Sequence, residues 1–262
     1  VKWIGLNPII KMENTSINDG QDKMLLEIPS SEIHIDILDT IKGQELSIGE
    51  VVVNNTVLDL KYGKNEIIIN KKKLQVNSNS DIKRNIPKIT LNNSDIRITN
   101  LNNNQSIFLK ANSLFASYQD SVIKVYSNFI HQASPKPITV QYEGEVLDGF
   151  IKSKVFLSGN SIKVPYLLLP EQLRKLKSNQ MSLRVWLNLN GTNIVRASGN
   201  IATDKLSMTI GKSLFTLADV NSNIFFVKDK QSETLSLSSM NYIIDNKSIN
   251  NNQIVVSKDS EK

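Results

Sequence analysis

The sequence contains no cysteine among its 262 residues. This absence excludes a disulfide framework, a zinc site built on thiolates and a cysteine nucleophile. It is compatible with any cellular compartment, so it does not decide where the protein works.

Long hydrophobic runs are also lacking. No stretch reaches the roughly 18 consecutive apolar residues that a membrane-spanning helix needs, and no signal peptide is visible. The chain starts at Val1 inside a pattern that is already typical of folded protein. We therefore expect that an upstream segment is missing and that it carried a targeting or anchoring element.

The basic residues do not form a cluster in the sequence, although the net charge is +6 and the pI is about 9.3. Lysines are scattered among predicted strands and turns, and Lys71–Lys73 is the only run. A nucleic-acid-binding protein clusters basic residues on one face and interleaves them with aromatic residues, which make up only 6% of this chain. We therefore expect no nucleic-acid partner.

Catalytic motifs are missing as well. The chain has no G-x-S-x-G elbow, no glycine-rich phosphate loop and no H-E-x-x-H sequence. Its two histidines are His34, which shares a predicted strand face with Asp36, and His131, which lies in a loop bordered by proline and serine. Neither forms a dyad that the sequence supports, and a solvated outer face is the ordinary interpretation of His34.

Two groups of acidic residues are weak candidates for chemistry. Glu143 and Glu145 flank Gly144 at a predicted bend, where such pairs are common. The group Asn18, Asp19 and Asp22 lacks the spacing of a calcium loop and is typical of a hairpin turn. We therefore expect no enzyme activity, no metal and no cofactor.

The clearest pattern that is present covers residues 182–210. Apolar residues at 183, 185, 187 and 189 alternate with other side chains, as in a strand with one apolar face. Asn190-Gly191 then predicts a hairpin. A three-residue loop, Gly191–Asn193, matches the apolar faces of the two strands. The predicted pairs are Leu189 with Val195, Leu187 with Ala197, Val185 with Gly199 and Leu183 with Ile201.

A second turn is predicted at Thr203-Asp204, and it leads to a third strand with Leu206, Met208 and Ile210 at period 2. Similar strand patterns occur along the whole chain, and they predict roughly a dozen to sixteen strands. One helical turn is predicted at Leu38–Lys42 and one short helix at Leu167–Lys177.

The fold class predicted from these patterns is mainly β, with one or two short helices. We expect a single region over residues 1–250 with a soft boundary near 74–85, followed by a polar tail at 251–262. A closed sandwich or barrel core would explain the alternation. Short connections and long strands instead favour a meander with an open apolar face.

Three stretches resemble the AsmA-like superfamily, specifically its YhdP-type branch of bacterial envelope proteins. WIGLNP near the start is similar to the first strand entry of that family. LLEIPSSEIHIDILDTIKGQELSIGEVVVNNTVLDLKY is similar to its second block. Pro170 with its neighbouring leucines, followed by LRVWLNLNGTNIVRASGNIATDKLSM, resembles its helix and meander. Together these similarities touch most of residues 1–245.

The resemblance implies an elongated, twisted antiparallel sheet, a repeating taco-like β-groove whose concave side is apolar. It also implies a protein tied to the bacterial inner membrane by an N-terminal helix and extending into the periplasm. Such proteins are implicated in moving phospholipids towards the outer membrane and in its barrier integrity. Because the membrane helix is missing and the chain is short, it resembles an N-terminal piece of such a bridge.

We expect the odd-numbered face of residues 182–201 and its continuation to line the groove. The candidate lining residues are Leu183, Val185, Leu187, Leu189, Val195, Ile201, Leu206, Met208 and Ile210. A charge at Leu187 is expected to block lipid occupancy more than it unfolds the chain. The alternative is a structural or adhesive β-repeat protein with a closed core and no ligand.

Overall fold

The computed structural model describes residues 2–5, 7–18, 24–43, 46–62, 67–70, 72–74, 86–101, 104–131, 134–147, 150–162, 180–191, 193–210, 213–229, 232–244 and 247–259. These residues form seventeen β-strands and one short helix. The mainly β fold class is therefore confirmed, with one strand more than the top of the predicted range.

The chain divides into two compact units, Val1–Gln132 and Ala133–Lys262. This division does not coincide with the soft boundary predicted near 74–85, of which residues 75–85 lie outside the described part of the chain. Each unit is built around its own run of paired strands.

The first unit, Val1–Gln132, contains ten strands and the helix α1. The elements are β1 (Lys2–Ile4), β2 (Asn7–Asn18), β3 (Met24–Ile35), α1 (Ile37–Gly43), β4 (Ile48–Asn54), β5 (Val57–Tyr62), β6 (Ile67–Ile69), β7 (Lys72–Leu74), β8 (Ile86–Asn100), β9 (Gln105–Gln119) and β10 (Val122–His131).

Most neighbouring strands of this unit are antiparallel, as predicted, but β8 is an exception. Both β4 and β5 pair with β8 in parallel, β4 through Val53 opposite Leu91 and β5 through Leu58 opposite Ile96. A parallel pair needs a long crossover connection, and the segment between β5 and β8 supplies one. Sequence alternation carries no information on strand direction, so the exception was not predicted.

The second unit, Ala133–Lys262, is an antiparallel meander in which each strand pairs with the next in sequence. Its strands are β11 (Ser134–Leu147), β12 (Phe150–Ile162), β13 (Met181–Asn190), β14 (Asn193–Ile210), β15 (Ser213–Lys228), β16 (Ser232–Ile244) and β17 (Lys247–Asp259). Residues 251–259, predicted as part of a polar tail, belong to β17.

The helix α1 is stabilised by polar contacts at its ends. Asp36 caps it, because its Oδ1 accepts the backbone N–H of Asp39 at 3.0 Å. The hydroxyl of Thr40 donates to the carbonyl of Asp36 and accepts the backbone N–H of Ser47. The helical turn predicted at Leu38–Lys42 is confirmed.

The other predicted helix, Leu167–Lys177, lies outside the described residues.

Strands β13 and β14 approach each other closely at Gly199. A Cβ atom added there would clash with the carbonyl oxygen of Arg184 and lie 2.8 Å from the Cα of Val185. Both atoms belong to the backbone, so neither can move aside without distorting the sheet. Gly199 therefore stands where no larger residue fits.

We expect Gly199→Ala to destabilise the protein by about 2 to 3 kcal/mol, because this overpacking strains the backbone. Gly49→Ala in β4 is the control, since an added Cβ there would lie at ordinary contact distances, 3.7 Å from the Cβ of Asp36 and 3.8 Å from the carbonyl oxygen of His34, and it should cost less than about 1 kcal/mol. Urea unfolding of both variants measures the difference. Equal costs would show that the close approach at Gly199 is unimportant.

Candidate functional site

The apolar face of unit 2 is the side of its sheet that holds one continuous cluster of buried side chains. Each strand from β11 to β16 contributes to it, and the half-buried Ile254 of β17 packs against it. None of its members is more than 9% exposed. They are Ile138, Ile162, Met181, Leu183, Val185, Leu187, Ala197, Ile201, Leu217, Val220, Ile224, Phe226, Leu237 and Met240.

Strand register brings these residues into rows that cross the sheet. One row joins residues directly opposite one another from β12 to β17: Leu157, Val185, Gly199, Ile224, Leu237 and Ile254. Because neighbouring strands lie about 4.8 Å apart, the seven strands of the unit span about 29 Å along the sheet. The face is therefore apolar across its whole width.

The predicted pairing of β13 with β14 is confirmed at three of four positions. Leu183 lies opposite Ile201, Val185 opposite Gly199 and Leu187 opposite Ala197. The buried positions Leu183, Val185, Leu187 and Ile201 were all among the predicted lining residues.

The fourth pair was predicted wrongly. Leu189 lies opposite Ile194 instead of Val195, because Asn190 pairs with Asn193 and leaves a two-residue loop. The left-handed residue of this turn is Gly191, with φ 59°. Val195 forms a bulge, an extra residue with no partner on β13. The two-residue loop and the bulge together give the same register as the predicted three-residue loop, so the pairs beyond Val195 were predicted correctly. Leu189 and Val195 are both half-buried.

The turn predicted at Thr203-Asp204 is also wrong, since β14 continues without interruption from Asn193 to Ile210. Its register with β15 places Leu206 opposite Leu217, and Met208 and Ile210 opposite Phe215 and Ser213. The side chains of the three predicted lining residues Leu206, Met208 and Ile210 lie outside the described part of the structure.

Kinks interrupt the alternation inside the long strands. We define a kink as a point where consecutive buried positions are three residues apart instead of two. Leu217 and Val220 are both buried, and so are Leu237 and Met240. Between them, Asp219 and Ser239 adopt left-handed conformations with φ 47° and 50°. The extra residue alone would move all following side chains to the opposite face of the sheet. The left-handed backbone of this residue returns them to the original face.

Unit 1 has kinks of the same kind. Leu91 and Ser94 flank Asn93 inside β8, and Val53 and Thr56 flank Asn55 in the break between β4 and β5, with the flanking residues buried in both cases. The two sites are hydrogen-bonded to each other, since Asn55 N–H donates to the carbonyl of Asn92 at 3.0 Å. The kink of β8 therefore lies at the level where β4 gives way to β5.

Buried hydroxyl groups lie beside the kinks and donate to backbone carbonyls. In unit 1, Thr56 donates to Glu27 at 2.9 Å and Ser127 to Ser113 at 2.8 Å. In unit 2, Thr203 donates to Gln180 at 2.7 Å and Ser222 to Ser238 at 3.0 Å. These hydroxyls satisfy carbonyls that the irregular ladder leaves available, so their role is structural.

We expect Ser222→Ala to cost about 1 to 2 kcal/mol of unfolding free energy, because it leaves a buried carbonyl without this donor. Ser198→Ala, on the opposite face of the neighbouring strand, should change stability by less than about 0.5 kcal/mol. Thermal or urea unfolding of the two variants tests this. Similar small changes in both would mean that the kink does not depend on the hydroxyl.

His34 lies in an ion-pair cluster on the face of unit 1 opposite to its buried Val53 and Leu91. Its Nε2 is 3.6 Å from Glu32 and its Nδ1 is 3.8 Å from Glu50. Asp36, the partner considered from sequence, instead caps α1. Lys11 contacts Glu32 at 2.9 Å and Lys88 contacts Glu50 at 3.1 Å.

These contacts keep both glutamates ionised. The hydrogen bond from Lys11 is the main cause that lowers the pKa of Glu32 below its ordinary value. Burial acts to raise the pKa of Glu50, but hydrogen bonds from Thr90 and Lys88 outweigh it and the net shift is downward. With both carboxylates already paired to lysines, the cluster is a salt-bridge network.

The remaining candidates do not assemble into a catalytic or metal site. His131 ends β10 opposite Leu109, where burial lowers its pKa. Glu143 and Glu145 lie opposite Lys154 and Lys152 across β11 and β12. In the described residues, no group of three His, Asp or Glu side chains could hold a metal ion. Most of the Asn18–Asp22 group lies outside those residues.

No helix in the described part of the chain is long and apolar enough to cross a membrane. Comparison of the chain with protein-family models, curated proteins and solved structures gives no match. The apolar face of unit 2 is therefore the candidate site on the basis of its own structure.

The pKa shifts of Glu32 and Glu50 predict acid sensitivity. A carboxyl group whose pKa is lowered by folding stabilises the protein above its unfolded pKa, about 4.5, and loses this contribution as pH falls. Glu50→Gln should therefore cost on the order of 1 kcal/mol at pH 7 and progressively less as the pH falls below about 4.5. The exposed Glu27→Gln is the control, and a pH-independent cost at Glu50 would contradict the prediction.

Proposed function

We propose that the protein shields phospholipid acyl chains on the apolar face of unit 2, as part of a lipid-transfer bridge in the bacterial periplasm. The observation that carries the proposal is the continuity of that face: aliphatic side chains follow one another across all seven strands. The buried hydroxyls of Thr203 and Ser222 donate hydrogen bonds to backbone carbonyls. A lipid chain needs such a surface and no polar recognition group.

The energetic need for shielding is large. Burying one methylene is worth about 0.8 kcal/mol, so moving two acyl chains with about thirty methylenes through water costs on the order of 20 kcal/mol. A continuous apolar surface removes most of this barrier, while the polar head group stays in solvent. The resemblance to the AsmA-like superfamily supports the periplasmic, inner-membrane-associated location and the anchoring helix upstream.

Access to the face is the critical condition. Leu187 is only 6% exposed, so an acyl chain reaches it only when the side chains packed over it move aside. Because Leu187 is buried, a charge at this position does not separate loss of lipid binding from loss of the fold. A charge at Leu187 would be buried without a partner, and unfolding of the Leu187→Asp variant is the expected outcome.

A second candidate function is a structural or adhesive β-protein with a closed core. The burial of all fourteen cluster residues supports it, because a core that is permanently closed needs no ligand. The two candidates differ in whether the half-buried positions of the face, for example Leu157, are reached by lipid.

Engineered cysteines distinguish the two, because the chain has none of its own. Leu157→Cys lies on the apolar face and Ser158→Cys on the opposite face of the same strand, both at half-buried positions. Each variant is purified from a bacterial envelope and treated with an anionic methanethiosulfonate. Bound lipid is then measured by native mass spectrometry and lipid extraction.

We expect phospholipid to copurify with the untreated protein and to be lost after modification of Leu157→Cys but not of Ser158→Cys, because only the former puts a charge among the acyl chains. A folded, lipid-free protein in which Leu157→Cys does not react would overturn the proposal and favour the closed core.

A further inference from the structure

The outer face of unit 2, opposite to its apolar face, carries a row of aromatic side chains. Phe156 lies opposite Trp186, which lies opposite Ser198, and Ser198 lies opposite Phe225. Trp186 is 48% exposed and Phe225 37%. We call these four residues the outer row. The outer face of an antiparallel sheet is commonly polar and solvated, and three of the four residues of the outer row are aromatic.

Basic residues flank the outer row on both sides. Lys154 and Arg196 lie two residues along their strands on one side of it, and Arg184 lies on the other side, with all three exposed. Positions two residues apart on one face are about 7 Å apart along a strand. The cations therefore form a two-dimensional array around the aromatic side chains.

Acidic residues are missing from this patch. The segments 150–159, 183–190, 193–202 and 221–227 contain no aspartate or glutamate. Glu143 and Glu145 of β11 border the patch at one edge, opposite Lys154 and Lys152. The patch is therefore complementary to an anionic partner, although its basic residues are far apart in the sequence.

The arrangement favours a surface over a linear polymer. A single nucleic-acid strand stacks its bases on open aromatic faces and runs its phosphates along one line. Here Phe156 and Trp186 pack against each other with ring centroids 5.0 Å apart and planes tilted by 42°. The guanidinium of Arg196 lies 5.2 Å over the ring of Phe225. The rings are thus partly covered by each other and by a cation, and cations lie on both sides of them.

We infer that this outer patch binds the surface of a bilayer that contains anionic phospholipid. Trp and Phe side chains partition into the interface between water and lipid, and Lys and Arg are attracted to anionic head groups. The inference does not depend on lipid binding at the apolar face, because Trp186 and Leu187 point to opposite sides of β13.

Fluorescence of Trp186 provides the test. The chain has two tryptophans, so Trp3→Phe leaves Trp186 as the sole fluorophore of its kind. Vesicles of phosphatidylcholine mixed with phosphatidylglycerol should shift its emission to the blue. The shift should weaken with added salt and be small with phosphatidylcholine alone.

Charge variants made on the Trp3→Phe background give the quantitative measurement. Each basic residue near an anionic membrane contributes about fivefold to affinity, so Arg184→Gln combined with Arg196→Gln should weaken vesicle binding about thirtyfold. Lys42→Gln combined with Lys258→Gln, at exposed positions on α1 and β17, is the control with the same change in net charge. Circular dichroism of both double variants checks that they remain folded.

Three results would overturn the inference: unchanged binding in the double arginine variant, equal weakening in the lysine control, or quenching of Trp186 by a single-stranded oligonucleotide without any response to vesicles. Failure of the proposed function is separately visible. If the purified protein carries no lipid but still binds vesicles through Arg184 and Arg196, the outer patch is supported and only lipid binding at the apolar face is contradicted.

Discussion

An extra residue in a β-strand turns every following side chain to the other face of the sheet. The long strands β8, β15 and β16 contain such residues, and buried positions continue on the same face beyond them. Asn93, Asp219 and Ser239 make this possible by adopting left-handed backbone conformations. At the level of Asn93, the backbone N–H of Asn55 also donates to the carbonyl of Asn92. The positions of the kinks therefore help to decide which side chains are buried.

This constraint explains why serine and threonine occur among aliphatic residues. A kink leaves carbonyl groups that the regular ladder does not use, and a buried carbonyl without a donor costs about 1 to 3 kcal/mol. A small hydroxyl such as that of Ser222 or Ser127 reaches the carbonyl without displacing its aliphatic neighbours. The buried hydroxyl groups on these faces thus donate to backbone carbonyls. Any ligand of the apolar face of unit 2 would therefore be recognised by shape and apolar contact.

The alternating pattern was sufficient to predict the strand class and the register of Leu183, Val185 and Leu187, because matching apolar faces allows few alignments. The pattern failed where the alternation of buried and exposed positions shifts by one residue. The polar pair Thr203-Asp204 has the same appearance in sequence as a turn between two strands, although β14 runs through it without interruption. A signal was present: VNNT at residues 53–56 and LNNS at 91–94 repeat an apolar residue, two asparagines and a hydroxyl residue. The outer row was predictable in part: the register predicted for β13 and β14 sets Trp186 opposite Ser198, but no register was predicted for β12 or β15, so Phe156 and Phe225 could not be placed beside them.

Burial across unit 2 is uneven, and this unevenness bears on how the apolar face would admit a ligand. In β15 and β16, Val220, Ile224 and Leu237 are at most 2% exposed, so separating the strands there would expose the most apolar area to water. Val155 and Leu157 of β12 are only half-buried, and exposing them further costs less, because the free energy scales with the newly exposed area. Under the proposed function, an acyl chain would therefore contact such half-buried side chains first, on β12 and also at Leu235 of β16 and Ile254 of β17, and would reach Val220, Ile224 and Leu237 last.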